Sequence, residues 1–399
     1  MHSIGFECEV VTPMFLGGAD HEAELRAPSI KAAMRWWFRA MMGGGLFDKL
    51  GKGKNSFLSG VREAESKTFG STDAVSPFRL SIVDSGLSKD DCKRWCYRID
   101  EPAERGLCYL GYGLSDRNFV IPGKKFTLEV TLRTTDSQKE NWILGSLWML
   151  ANFGTLGARS SRGFGCFQIS CANDDLGERF PKVTSIADLK EGFKRTRRLF
   201  SLPESSSNDD LPPFSIVHPR AWRCLVLNEP KGNPLPALNS AGIALRKFRE
   251  APDPSNEFER KIPTKSGNIR VIRGQHSREY KNVVNFGISR GLLLPETSIF
   301  GLPHPFQLSS PGKKVTMKKV TIVSETRQRR KSPLFIHVYK WKQTYVSYQA
   351  FKAEFVDGKI KFYDPKVPNQ AETVGGTLPF NELDSFIGQN SANAELLWE

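Results

Sequence analysis

The sequence lacks a long hydrophobic run. Its longest apolar stretch, residues 142–153, is interrupted by Gly145, Ser146 and Asn152, and it is shorter than the ~20 apolar residues that a membrane-spanning helix needs. The first residues alternate glutamate with apolar side chains and show no hydrophobic segment of a signal peptide. We therefore expect a soluble protein of the cytoplasm that has no membrane partner.

Cysteine and histidine are also scarce. The seven cysteines have irregular spacings, which favours free thiols in a reducing compartment over a disulfide scaffold. Cys92, Cys96 and Cys108 are the densest group, but they include no C-x-x-C pair and no nearby histidine, so we expect no metal site. The sequence has no P-loop, no G-x-S-x-G motif and no Ser-His-Asp signature. We expect neither a cofactor nor a catalytic site.

Positive charge is what the sequence has in excess. The 57 Lys and Arg residues outnumber 43 Asp and Glu residues, which gives a net charge of +14 over 399 residues. Hydrophobic residues make up 39% of the chain, enough to form packed cores in two or three domains. A basic protein of this kind is typical of one that binds a polyanion.

Hydrophobic periodicity in the first half predicts the order βαββαβ. Helices are expected at 28–42, where Gly43, Gly44 and Gly45 would end the first one, and at 143–151. A long insertion covers about 84–118. This order is that of a ferredoxin-like, or RRM-like, domain. Its four strands are expected at 4–10, 78–82, 126–132 and 167–171.

Residues 203–213 are polar, acidic and rich in proline, and they predict a linker between an N-terminal domain, 1–202, and a C-terminal domain, 214–399. A weaker pattern in the second half indicates a domain of similar design. Residues 251–281 are expected to form a loop or to be partly disordered. The predicted fold class is thus α+β, with two ferredoxin-like domains and insertions. The second-half elements are expected near 222–226, 241–250, 320–322, 334–338 and 345–346.

The first predicted helix carries a cationic row. Lys31, Arg35 and Arg39 follow at i, i+4 and i+8 and therefore share one side of the helix, and Arg26 precedes them. Their mutual repulsion costs a few tenths of a kcal/mol per pair, so the row indicates an anionic partner. Trp36 lies between the apolar and basic sides, where it could stack on a base. The alternative interpretation is a solvated basic face.

A glycine-rich loop at 154–167 joins the second helix to the last strand. Glycine allows close approach of backbone amides to phosphate, and arginine binds phosphate in a bidentate manner. The run R-G-F-G at 162–165 matches the opening of the RRM signature but follows a helix instead of lying on the third strand. The alternative is a turn without a ligand. The candidate RNA-binding residues in this loop are Gly157, Arg159, Ser160, Ser161, Arg162 and Gly163.

Two further segments could carry chemistry. From 313 to 342 there are ten Lys or Arg residues and a single acid, and Arg329, Arg330 and Lys331 are the candidates for phosphate contacts, with a solvated loop as the alternative. Asp20 and His21 could activate a ribose 2′-hydroxyl. No other acid or base near them in the sequence offers a partner.

Three segments together resemble a known family. They are TP-x-F-L-G-G-A-D at 12–20, E-L-R-x-P-S-I-K at 24–31 and R-W-W-F-R-A at 35–40. The chain is identified by them as a member of the first-subunit family of Cmr effector complexes, which are RAMP-superfamily proteins of type III-B CRISPR systems. Further segments similar to the family occur in the family's order at 68–71, 156–165 and 329–334.

The resemblance implies two ferredoxin-like domains and membership of an RNA-guided complex with other Cmr subunits. It also implies a place near the 3′ end of the guide RNA, where the subunit helps to capture target RNA in antiviral defence without catalysing a reaction. The sequence thus predicts a non-catalytic subunit that binds guide and target RNA. One alternative is a stand-alone RAMP endoribonuclease that processes CRISPR repeat RNA with His21 or Asp20. Another is a general RNA chaperone.

Overall fold

The structure, a computed structural model, describes most of the chain. The residues that it describes are 1–17, 22–50, 54–84, 87–97, 101–115, 117–172, 176–263, 269–277, 295–301, 304–307, 319–325, 330–354, 359–375 and 378–398.

The first half of the chain contains six strands and five α-helices among the described residues. Short 3₁₀ turns lie at Lys89–Asp91 and Gly177–Arg179. The elements are β1 (His2–Val10), α1 (Ala27–Leu50), α2 (Lys54–Phe69), β2 (Phe78–Asp84), β3 (Cys92–Arg94), α3 (Arg105–Leu110), β4 (Asn118–Val120), β5 (Lys125–Leu132), α4 (Ser137–Phe153), β6 (Phe167–Cys171) and α5 (Ile186–Leu199).

The second half contributes ten strands and two α-helices to the described part, with a 3₁₀ turn at Glu296–Phe300. They are β7 (Trp222–Leu227), α6 (Pro234–Arg249), β8 (Pro252–Pro263), β9 (Ile269–Ser277), β10 (His304–Gln307), β11 (Lys319–Ser324), β12 (Leu334–Lys340), β13 (Thr344–Phe351), β14 (Lys359–Asp364), β15 (Val367–Gly375), α7 (Asn381–Gln389) and β16 (Ala394–Leu396). In the ranges given above, none of the helices combines the length and the apolar character that crossing a bilayer requires.

The first sheet has the strand order β2-β5-β1-β6, and all its strand pairs are antiparallel. The four strands and two helices that periodicity predicted are all present. Ile4, Phe6, Cys8 and Val10 alternate with polar residues and are buried, because one face of β1 packs on the helices. The insertion between β2 and β5 contains the two-stranded β3–β4 sheet and α3.

A second sheet has the order β12-β13-β7-β16 and is also antiparallel. Taken along the chain, its elements follow as β7, α6, β12, β13, α7 and β16. This is the same βαββαβ order as in the first half, with insertions after α6 and after β13. The mixed α+β class is therefore confirmed.

The cores of both sheets are built from aromatic residues. Trp37 and Phe38 of α1 are buried and lie beside Phe153 and Phe69 respectively, with ring centroids 6.2 and 5.3 Å apart. Deletion of such a side chain typically costs ~3–5 kcal/mol. The apolar side of α1 is therefore committed to packing, as its spacing predicted.

Gly43, Gly44 and Gly45 do not end the first helix, and the predicted end at residue 42 is wrong, because α1 continues to Leu50. A Cβ atom on Gly44 would lie 1.9 Å from the carbonyl oxygen of Val217, and one on Gly45 would lie 2.2 Å from that of Phe200. The glycines are needed because the segment 200–217 packs directly on the helix backbone.

Contacts divide the chain into two compact units. The first comprises Met1–Gly242, Pro333–Glu354 and Ile387–Glu399, and the second comprises Ile243–Ser332 and Phe355–Phe386. The segment 203–213 has no helix or strand and falls within the first unit. Because contact-defined units and fold domains need not coincide, the predicted domains 1–202 and 214–399 stay a prediction.

The second unit contains a sheet of order β10-β11-β14-β15 and the β8–β9 hairpin. An aromatic cluster of Phe248, Phe300 and Phe386, with centroids 5.3–6.0 Å apart, packs its interior. The prediction of a loop over 251–281 is wrong for the strands of that hairpin, since antiparallel pairing between β8 and β9 supplies backbone order that hydropathy does not reveal. The rest of that segment lies outside the described residues.

Candidate nucleic-acid interface

The cationic row of α1 lies on a partly exposed side of the helix, as its spacing predicted. Lys31 donates from Nζ to the Ser76 hydroxyl at 2.7 Å and lies 4.5 Å from the centroid of the Phe78 ring. Partial burial lowers the pKa of Lys31, and the nearby charges of Arg35 and Arg133 lower it further. Lys31 is therefore a cation held in place by its neighbours.

Arg35 and Arg39 share one carboxylate. Both donate from Nη1 to Glu65 on α2, at 3.3 and 2.9 Å. Arg35 also donates from Nη2 to the carbonyl oxygens of Phe69 and Gly70, at 3.0 and 2.6 Å. Arg35 therefore holds the turn after α2, whereas the described contact of Arg39 is an ion pair. The row keeps more positive than negative charge.

The other two residues near this row also contact the protein. Trp36 is half-buried and stacks on Phe335 of the second sheet, with ring centroids 5.4 Å apart. Arg26 is exposed and lies 3.7 Å from Glu24. A base-stacking role for Trp36 stays a prediction, and its observed contact joins α1 to the second sheet.

The glycine-rich loop uses its glycines for internal packing. Gly157 and Gly163 have φ values of +89° and +77°, which side chains rarely adopt. A Cβ atom on Gly157 would lie 2.4 Å from the Phe15 carbonyl oxygen, and one on Gly163 would lie 2.5 Å from Leu238 Cδ1. The sequence therefore located a tight loop correctly, but these contacts provide a reason for its glycines other than phosphate.

Several polar groups of this loop also face the protein. The amide of Ala158 donates to the Phe15 carbonyl at 2.9 Å, and that of Arg162 donates to the Arg159 carbonyl at 2.8 Å. Ser161 is buried, and its carbonyl accepts from the amide of Ile336 at 3.2 Å, while Thr155 donates to the Ser160 carbonyl. Arg159 has an exposed side chain, and Arg162 is half-buried. Their roles in RNA binding stay predictions.

Of the three candidate residues of the C-terminal basic segment, Arg329, Arg330 and Lys331, the two that the structure describes do not share one environment. Arg329 lies outside the described residues. Arg330 is buried, and its guanidinium donates to the carbonyl oxygens of Ser298 and Ile299 at 2.8 and 2.9 Å. Lys331 is exposed. Of the two described residues, Lys331 is the one that solvent reaches, so its role in a phosphate contact stays a prediction, and Arg330 holds the second unit together.

Charge is distributed unevenly along the chain. The second compact unit holds 22 Lys and Arg residues against 12 Asp and Glu residues, which is +10 of the chain's net +14. Part of this excess lies in the segment 313–342, whose basic residues are evident from the sequence. The remaining excess is evident only when residues 243–332 and 355–386 are counted together, and contacts between these distant segments define them as one unit.

The outer face of the first sheet is polar and carries charges of both signs. Glu7 and Glu9 of β1 and Glu129 of β5 alternate with the buried residues of their strands. Within β1, β2, β5 and β6, this face bears no aromatic side chain that could stack on a base. Arg79 and Lys125 lie on the same face, and Lys340 is paired with Glu9, so the face has no excess of positive charge that would attract phosphate.

The corresponding face of the second sheet is covered by α4. His337 of β12 contacts the Gly154 carbonyl through Nδ1 at 2.8 Å, and Gln349 of β13 donates to the Phe153 carbonyl at 2.8 Å. Both side chains are buried. They satisfy carbonyl groups at the C-terminal end of α4, a role that the sequence did not reveal because the partners lie almost 200 positions apart.

The two residues considered for catalysis, Asp20 and His21, lie outside the described residues. His218 is buried and lies 3.2 Å from Asp48 Oδ1, and burial lowers its pKa. Among the described residues, no three His, Cys, Asp or Glu side chains lie together in a way that could hold a metal ion. The cysteines that the structure describes are free thiols.

Acid is expected to destabilise the protein through His337. Burial lowers the pKa of His337 to about 3, and the Gly154 carbonyl opposes this only in part. Below pH ~6.5 the imidazole of His337 is protonated in the unfolded chain but stays neutral in the folded protein. The free energy of unfolding therefore decreases by up to ~1.4 kcal/mol for each unit by which the pH falls. Urea unfolding at several pH values from 8 to 5 should show that the free energy of unfolding falls less steeply with falling pH in His337→Asn than in the wild type. His218, whose pKa burial also lowers, contributes to the fall that remains. Equal slopes would contradict the buried neutral state.

The chain is similar to known proteins over much of its length. Residues 7–168 match the RAMP superfamily. Two subunits of a CRISPR system from Pyrococcus furiosus, Cmr1-1 and Cmr1-2, are each 28% identical to the chain, over 208 and 196 residues. These alignments cover 49% and 44% of this chain. They span 57% of Cmr1-1, somewhat more than half of its length, and 100% of Cmr1-2.

Two solved structures share the fold. The crystal structure of Cmr1 from Pyrococcus furiosus, in its apo form, superposes with a TM-score of 0.58 at 19% identity and covers 100% of this chain and 99% of its own. A chain of the cryo-EM structure of a type III-B Cmr-beta bound to cognate target RNA gives a TM-score of 0.51 at 12% identity, with coverages of 97% and 99%. At these identities the likeness shows the arrangement of elements and not a shared ligand.

Proposed function

Because the chain belongs to the RAMP superfamily and is a Cmr subunit of the type III-B CRISPR class, we propose that it binds RNA in a Cmr effector complex without catalysing a reaction. It acts in the cytoplasm, near the 3′ end of the guide RNA and beside other Cmr subunits, and it helps to capture target RNA. Its two βαββαβ parts are two ferredoxin-like domains.

The observation that supports this proposal best is the cationic row of α1. Lys31, Arg35 and Arg39 lie on one partly exposed side of a helix whose other side is fixed by Trp37 and the core. Glu65 neutralises only part of their charge. A rigid row of cations with excess charge is suited to a nucleic-acid backbone, since phosphate contacts position RNA without reading its sequence.

The open faces of the two sheets are less suited to RNA than the cationic row of α1. The first sheet presents Glu7, Glu9 and Glu129 on its outer face, and the second sheet buries His337 and Gln349 against α4. Neither sheet face offers the exposed aromatic residues with which RRM domains stack bases. The RNA path in this proposal therefore follows helix α1 and the loops around it.

Salt dependence of RNA binding tests the proposal. The full chain should bind labelled single-stranded RNAs of unrelated sequence with similar affinities. A plot of log affinity against log salt should fall by about 0.7 per phosphate contact. Neutralising Arg26 and Arg39 together should flatten that plot, whereas the matched double variant Lys194→Gln/Arg198→Gln, on the exposed side of α5, should leave it unchanged.

Two outcomes would overturn the proposal. One is a folded protein that shows no RNA affinity either alone or with other Cmr subunits. The other is cleavage of repeat RNA in the absence of metal, with cyclic phosphate ends, which are the product of attack by a ribose 2′-hydroxyl. His21→Ala should then abolish the cleavage, because a general base typically accelerates such a reaction by 10²–10⁴-fold. Failure to co-purify with other Cmr subunits would favour a general RNA chaperone.

A further inference from the structure

The insertion between β2 and β5 presents one exposed aromatic residue. Tyr112 follows α3 and has 66% of its surface exposed. Among the described residues, the other large apolar side chains with high exposure are aliphatic: Met1, Val75, Val83 and Leu211. Single exposed apolar residues are common on protein surfaces, but Tyr112 is the aromatic member of this set, and an exposed ring can stack on another flat group.

The turn that carries Tyr112 is rigidly held. Its neighbours Leu110 and Leu114 are buried, and the Leu114 amide donates to the Gly111 carbonyl at 2.9 Å. A Cβ atom on Gly111 would lie 2.7 Å from Trp95 Cζ2, so the backbone rests on that indole. The tyrosine is thus exposed although the backbone on both sides of it is fixed.

The start of α3 is anchored by a residue from the other half of the chain. Asn239 is buried, and its Oδ1 accepts from the amides of Gly106 and Leu107 at 2.7 and 3.2 Å. Its Nδ2 donates to the Pro102 carbonyl at 3.3 Å. These hydrogen bonds hold the start of α3 in place, so a ligand that contacts Tyr112 does not have to order that helix first.

A guanidinium lies beside Gly113, the residue that follows Tyr112. A Cβ atom on Gly113 would lie 3.0 Å from Arg159 Nη2, so the exposed Arg159 of the glycine-rich loop covers the residue next to Tyr112. Arg117, also exposed, belongs to the same turn, since its amide donates to the Leu114 carbonyl at 3.1 Å. Glycines on both sides of the ring leave its faces accessible to a flat partner.

We propose that Tyr112 stacks on an unpaired RNA base while Arg159 contacts the adjoining phosphate. An aromatic ring beside a cation is the arrangement by which proteins bind single-stranded nucleic acid, because every base has a face that can stack. The cations favour RNA over an apolar protein surface as the occupant. This inference rests on the proposed RNA-binding function and adds to it a contact with the bases, which the cationic row of α1 does not provide.

The test compares RNA that has bases with RNA that lacks them. Tyr112→Ala should weaken binding of the full chain to oligoadenylate by about tenfold, the change that corresponds to ~1.4 kcal/mol of stacking. Tyr112→Phe should bind like the wild type, and Val83→Ala, a residue of similar exposure at 62%, should also have no effect. An abasic RNA backbone should bind the wild type and Tyr112→Ala equally. Arg159→Gln should weaken both RNAs.

The outcomes separate this inference from the proposed function. If the wild type binds RNA and Tyr112→Ala binds it equally well, the stacking contact is wrong and the RNA-binding function stands. If the wild type binds no RNA, both fail. If Tyr112→Ala keeps its RNA affinity but no longer assembles with other Cmr subunits, the tyrosine is a protein contact and the inference is overturned. Equal melting temperatures serve as the folding control.

Discussion

Gly44→Ala is expected to lower the free energy of unfolding by about 2–3 kcal/mol, although alanine favours a helix over glycine by ~1 kcal/mol. The reason is steric. The added methyl group would lie 1.9 Å from the Val217 carbonyl oxygen, and the Val217 amide is itself bound to the Ala40 carbonyl at 2.9 Å. Backbone that is held on both sides cannot move away at low cost.

A second glycine provides the matched control. Gly60 lies within α2, and a Cβ atom there would have as its nearest neighbour Leu50 Cδ1, at 3.3 Å. That atom is the far end of a flexible side chain, so Gly60→Ala should stabilise the protein by up to ~1 kcal/mol. Urea unfolding of both variants beside the wild type gives the comparison. If Gly44→Ala raises the unfolding midpoint, as Gly60→Ala should, the close contact at Gly44 does not exist.

The glycines of α1 show where sequence reasoning stops. Three consecutive glycines are the usual sign of a helix end, and the sequence offers no means of telling that sign from a surface of close approach. The difference is made by Phe200 and Val217, which lie more than 150 positions away. By contrast, the strands of the first sheet were predicted within a few residues, because alternation depends only on which side of each strand is buried.

For the candidate interface, the positions of the cations could be predicted from the sequence, but their partners could not. The spacing of Lys31, Arg35 and Arg39 places them correctly on one side of a helix. Their partners could not be read from this spacing, because Glu65 lies on α2 and the carbonyl groups that bind Arg35 belong to a turn that forms only in the folded chain. Sequence periodicity therefore predicts where charges point, whereas the neutralisation of those charges is decided by tertiary packing.

These partners lead to different expectations for two arginines of equal charge. Arg39→Gln removes an ion pair of a partly exposed side chain, which contributes ~0–1 kcal/mol, so the melting temperature should hardly change. Arg35→Gln also removes charge-assisted hydrogen bonds to two carbonyl groups and should lower stability by ~1.5–3 kcal/mol. Each substitution should flatten the salt dependence of RNA binding by about 0.7 units.

Glu65→Gln completes the experiment, because it changes the opposite partner. Losing this carboxylate releases both guanidinium groups from their shared acceptor, so RNA should bind more tightly and with a steeper salt dependence, by about 0.7 units for each additional phosphate that the row binds. Titration of labelled RNA at several salt concentrations measures this. Glu191→Gln on α5, which also removes an exposed carboxylate paired with an arginine, controls for the same change of net charge elsewhere. If Glu65→Gln, folded as judged by its melting curve, leaves both affinity and slope unaltered, the row on α1 does not contact RNA. The backbone contacts then belong to the basic second unit, whose net charge of +10 is the larger share of the chain's total.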